Sequence, residues 1–148
     1  MLKSIVGVIV SYAIMFVFFM AVFSGSYSAL ASERVFQADS YEISSLWIRL
    51  TIVLSLLGSM IGGYLCAAIS KSKRTCQVFA FIVFFLSLLA CLPALKRNPD
   101  APNVRAGEVS NLDARRLAVM PLWLPLVNSV TNAAGVLLGA RIKRRGNA

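Results

Sequence analysis

The chain has 148 residues, of which 58% are apolar and only 14% charged. A soluble domain carries about a quarter charged residues. Here the charge sits in short stretches between long apolar runs, so the sequence reads as an integral membrane protein. It contains no histidine, which excludes imidazole ligation of haem, His-zinc sites and a Ser-His-Asp triad within this chain.

Four apolar segments follow one another at about 4–24, 46–69, 76–95 and 118–140. A helix crosses about 30 Å of hydrocarbon with roughly 20 residues at 1.5 Å each. None of the four has Asp, Glu, Lys or Arg at its centre, and Arg49 lies near an end. The alternation of a membrane β-strand is absent. The expected fold class is therefore all-α. It is a single membrane domain over 1–148, an integral membrane four-helix bundle of two tandem transmembrane hairpins with outer loops 25–45 and 96–117.

The first segment follows Lys3 and runs IVGVIVSYAIMFVFFMAVF. Together with Ala29-Leu30-Ala31 it resembles the parts of a cleavable signal peptide, but its apolar run exceeds the usual 7–15 residues and further spans follow. It is expected to remain as the first span. The second segment carries Thr51, Ser55, Gly58 and Gly62 at spacings of 4, 3 and 4 residues. The fourth carries Asn128, Asn132, Gly135 and Gly139 at the same spacings. Such spacings keep all four residues on one helix face. A tryptophan precedes each stripe, Trp47 and Trp123, and a basic cluster follows it, so the chain reads as two related hairpins with interfacial tryptophan anchors.

The glycine pairs Gly58/Gly62 and Gly135/Gly139 allow close backbone approach, which in lipid replaces the missing hydrophobic drive. They serve either internal packing of one bundle or contact with a partner or second copy. Ser4, Gly7 and Ser11 in the first segment and Ser87, Cys91 and Ala94 in the third offer matching small residues. Asn128 and Asn132 are the most polar groups at depth, and each amide requires a partner: another helix, or a substrate.

Lys3, the cluster Lys71, Lys73 and Arg74, and the C-terminal Arg141, Lys143, Arg144 and Arg145 make eight basic residues without an acid. The two other connections, with Arg49, hold seven basic residues and all six acids. The raw bias is small, but the first group abuts helix ends. Both termini and the 71–75 loop are therefore expected in the cytoplasm, against anionic headgroups of the lipid bilayer. KSKRT and RIKRRGNA lack interleaved aromatics, so nucleic acid is not an expected partner.

No ionisable residue stands inside the membrane, which weighs against proton-coupled transport. The three cysteines form no C-x-x-C, and no nucleophile–base pair, metal cluster or cofactor motif is visible; the chain is expected to be no enzyme and to need no cofactor or metal. In the second outer loop, Ser110 is placed to cap a short helix through Arg116, with Asp113 in its first turn. The glycine-rich, basic-ended hairpins are similar in general form to small four-helix proteins of the bacterial inner membrane, which is the expected location. The expected role is helix–helix contact, as an accessory subunit of a membrane complex or a homo-oligomer. The alternative is a small permease or lipid-handling protein with a polar path near Thr51, Ser55, Asn128 and Asn132.

Overall fold

The computed structural model describes residues 2–90, 92, 104 and 110–146. Among the described residues the fold is all-α, with four long helices and one short one: α1 Leu2–Val35, α2 Ser45–Ser70, α3 Lys73–Leu89, α4 Asn111–Leu117 and α5 Trp123–Arg145. Two of them, α1 and α2, are long and apolar enough to cross a membrane. In α5 the polar run around Asn128 and Asn132 dilutes the apolar character. The helix α3 reaches Leu89, with Ala90 and Leu92 described beyond it, whereas Cys91 and residues 93–95, Ala94 among them, lie outside the described residues.

The helix ends differ from the expected ones for local reasons. Polar residues 25–35 continue α1 instead of forming a loop, with Ser28 Oγ returning a hydrogen bond of 3.0 Å to the Ser24 carbonyl. The break comes at Ala31, whose backbone lies at φ 56° and ψ 171°. At the other end of the chain, residues 118–122 stay outside α5; Pro121 stands just before it and Pro125 in its first turn, where no N–H partner is lost. The helix then runs on through the basic cluster to Arg145.

Capping fixes the remaining boundaries. Ser44 caps α2 by accepting the Trp47 N–H at 3.2 Å and donates to the Arg34 carbonyl at 2.6 Å, tying α2 to the end of α1. Lys71 turns the chain in the left-handed region at φ 52°, its N–H reaching the Ala67 carbonyl, and Ser72 caps α3. As the spacing predicts, Ser110 caps α4: its hydroxyl accepts the Asp113 N–H at 3.2 Å and donates to the Asp113 carboxylate at 2.6 Å.

The centre of the bundle is the pair α2 and α5, which run parallel and make the most extensive contact. α1 lies along α2, and α3 along α5 and more lightly along α2, whereas α1 and α3 touch only sparsely. A Cβ at Gly63 would overlap the Val136 carbonyl oxygen, one at Gly139 the Met60 carbonyl oxygen, and one at Gly135 the Ser59 hydroxyl. Gly58 and Gly62 turn the other way, to Phe18, Phe19 and Met15 of α1. The buried set is unusual for its small size: Ser11, Ser55, Ser59, Cys66, Ala67 and Ser129 are inside. Large apolar side chains point out, with Ile9, Val17, Phe81 and Val130 each at least 60% exposed.

Beyond the helix ends, 36–44 and 118–120 stitch together. Ile43 N–H reaches the Val119 carbonyl at 3.2 Å and Val119 N–H the Tyr41 carbonyl at 2.9 Å. Val35, Phe36, Ile43, Tyr27 and Leu124 bury one another beneath this cap. A second cluster, with Met15, Cys66, Cys76, Phe79, Val83 and Val136, fills the far end near the α2–α3 turn.

Candidate functional site: a cavity between the two clusters

Between the two clusters the helices leave a cavity of about 530 Å³, within the range of about 300–1,000 Å³ common for small-ligand sites. The shape follows from side-chain size. Helices α2 and α5 approach closely at Gly63, Gly135 and Gly139, and nearer the cap they present Thr51, Ser55, Asn128 and Asn132 to the space. The bulky stripe of α1 then closes the space from the other side with Tyr12, Phe16, Phe19, Phe23 and Tyr27. Trp47 sits edge-on to Phe23 at 6.1 Å and to Tyr27 at 6.5 Å between ring centroids, which fixes the cap end of this aromatic wall. Phe36, Ile43, Ala118 and Met120 from the cap complete the roof.

The opposite wall is polar in part. Thr51 and Ser55 from α2 and Asn128 and Asn132 from α5 all line the same cavity, together with Ser87 of α3. Asn132 is only 8% exposed. Its Nδ2 donates to the Ser87 hydroxyl at 3.2 Å, while its Oδ1 has no hydrogen-bond partner. The buried Oδ1 of Asn128 is likewise unmatched. An amide left in this state in apolar surroundings costs on the order of 1–3 kcal/mol. No Asp, Glu, Lys or Arg is among the described residues of the wall. Chemically, the cavity can take an apolar body and answer a few hydrogen-bond donors at one side.

The two stripes recognised in the sequence thus divide their work. Their polar halves meet at the cavity, and their glycine halves serve packing inside the chain, Gly135 and Gly139 against α2 and Gly58 and Gly62 against α1. They do not pack on each other. The residue that brings α2 onto α5 is Gly63, which the stripe omits; the spacing Ser59-x-x-x-Gly63, small residues four apart, carried that signal. Trp47 is an internal wall residue, whereas Trp123 is half exposed at the start of α5. The aromatic wall of α1 was not singled out from the sequence, because an unbroken apolar run gives no cue to which face is inside.

At the α2–α3 turn, the thiols of Cys66 and Cys76 are free and buried. Ser70 donates to the Cys66 carbonyl at 2.6 Å, and the Cys76 thiol to the Ser72 carbonyl at 3.2 Å. Lys143 lies 5.5 Å from the centre of the Tyr64 ring, a cation–π contact that ties the basic end of α5 to α2. No family model, curated protein or solved structure matches this chain.

Proposed function

We propose that the chain is a small, non-enzymatic, multi-pass membrane protein that holds and passes an apolar small molecule through its central cavity, the lipid-handling or permease role. The observation that carries this reading is the convergence of Thr51, Ser55, Asn128 and Asn132 on an otherwise apolar cavity, with two amide oxygens unmatched. A purely structural asparagine pair would be expected to satisfy its oxygens within the bundle.

The membrane setting is supported by inverted burial, with serine, glycine and cysteine inside and large aliphatic and aromatic side chains outside. In water each such exposed side chain forfeits about 1.5–3 kcal/mol of burial; in lipid it forfeits nothing, and small residues are what bring helices together. In this reading α3 and α5 also span, α5 with a length of roughly 34 Å at 1.5 Å per residue. The basic α2–α3 turn and both termini face the cytoplasm, on anionic headgroups, and a bacterial inner membrane is the proposed location.

The helix-contact role, as accessory subunit or homo-oligomer, would have to use other faces, because the four glycines are occupied within the chain. Native mass spectrometry of protein extracted gently with its lipids separates the two. Retention of a small-molecule adduct, reduced about fivefold by Asn132→Ala without change of assembly, is the expected result. A stoichiometric second polypeptide with an empty cavity would move the weight to the subunit role.

A further inference from the structure

Among the described residues, the cavity is walled on three sides by packed helices. α1 packs along α2, α2 along α5 and α5 along α3, but α1 meets α3 only sparsely, and the short α4 touches α1 to the same small extent. Along this fourth side the same residues that line the cavity are also open to the outside. On α1 these are Tyr12, Phe16 and Met20, one above another at four-residue spacing, and Phe16 is 52% exposed. On α3 they are Leu86, 39% exposed, and the exposed Ala90. Among the described residues the cavity therefore opens through a slot whose rims, the Tyr12 hydroxyl aside, are apolar and whose direction is across the bundle, not along it.

We infer that this slot admits a single neutral lipid sideways from the bilayer, and that its head carries two hydroxyls, one donating to the Asn128 amide oxygen and the other to that of Asn132. The inference rests on the membrane cavity proposed above and adds the ligand's class and route. Apolar rims are crossed without desolvation cost by a hydrocarbon chain, and they resist a polar solute. The absence of any charged group from the described wall gives an ionic head nothing to compensate its burial. Two unmatched acceptors, one on a side chain more than nine-tenths buried, require a donor. A hydroxyl-bearing acylglycerol supplies donor, neutrality and chain together; an ester without a hydroxyl supplies only the last two.

Fluorescence quenching tests each part in the full-length protein reconstituted in phosphatidylcholine vesicles. A Trp123→Phe background leaves Trp47, in the cavity wall, as the single reporter. Three probes carry the same brominated chain: a monoacylglycerol, a fatty-acid methyl ester and a phosphatidylcholine, the last defining contact with ordinary boundary lipid. The monoacylglycerol should quench saturably at a mole fraction about tenfold lower than the other two, and Asn128→Leu/Asn132→Leu should abolish that advantage. Equal saturable quenching by all three probes would overturn the hydroxyl head while leaving the cavity as a lipid site. No saturable quenching by any of them would overturn the cavity reading as well. For the route, Ala90→Phe narrows the slot and should slow the onset of monoacylglycerol quenching about tenfold, whereas Phe16→Ala should hasten it. Rates unaltered in both variants would overturn lateral admission.

Discussion

Glycine positions in this chain differ in what a methyl group would meet, and stability should follow that difference. At Gly63 and Gly139 the obstacle is a backbone carbonyl of the neighbouring helix, which cannot move without separating α2 from α5. Alanine at either site should lower stability by about 2–3 kcal/mol, the upper range for overpacking. Gly25 has nothing within 4 Å of a built Cβ, so Gly25→Ala should gain about 0.5–1 kcal/mol from helix propensity alone. Thermal unfolding in one detergent, all variants side by side, checks the order; equal losses at Gly63 and Gly25 would refute it. Ala31 is the converse case. An L-residue at φ 56° and ψ 171° occupies a region suited to glycine, and Ala31→Gly should raise stability by about 1 kcal/mol.

At the scale of elements, Ser44 joins more structure than a helix cap usually does. It satisfies the Trp47 N–H at the start of α2 and simultaneously holds the Arg34 carbonyl, so it closes α1, α2 and the cavity roof in one place. Ser44→Ala should cost about 1–2 kcal/mol and loosen the cap before the bundle, seen as faster amide exchange at Ile43 and Val119 than at Val136. Uniform loss of protection would argue against a separate cap. The elements were legible in the sequence where composition alone decides them. Four apolar runs foretold four long helices, and Ser110 with Asp113 foretold α4. The end of α1 was not legible, because serine-rich residues 25–35 have loop composition and are held helical by the cap they pack under. The split use of the two stripes was hidden for another reason. Periodicity reports which residues share a face, not which neighbour that face meets, so Gly58 and Gly135 looked equivalent although one faces α1 and the other α2.

The proposed orientation in the membrane is one that chemistry can read directly. Cys66 and Cys76 are buried, so in a Cys91→Ser background a cysteine introduced at an exposed site becomes the reporter. With the termini cytoplasmic, as proposed, Asp39→Cys should react with a membrane-impermeant maleimide on intact cells, whereas Lys73→Cys should react only after permeabilisation. The reverse pattern would invert the topology, and equal reaction at both sites would refute spanning by α1 and α2. The polar half of the candidate site was visible in advance, since hydroxyls and amides stand out in an apolar run. The cavity itself was not, because a void is a property of how four helices diverge and no single segment encodes it.

The contact between α2 and α5 also has a consequence in time. These are the most closely fitted helices of the molecule, yet more than fifty residues of chain separate the end of one from the start of the other. During synthesis α2 leaves the ribosome with α1 already beside it, and the groove over Gly63 stays vacant until the last helix is made. The first hairpin is thus an unfinished half that must wait for its counterpart. Supplying residues 110–148 as a separate polypeptide to a chain ending at residue 109 should restore the protein, while Gly63→Leu in the longer fragment should prevent that rescue. Birth order thus places the most extensive contact of the fold last in its maturation.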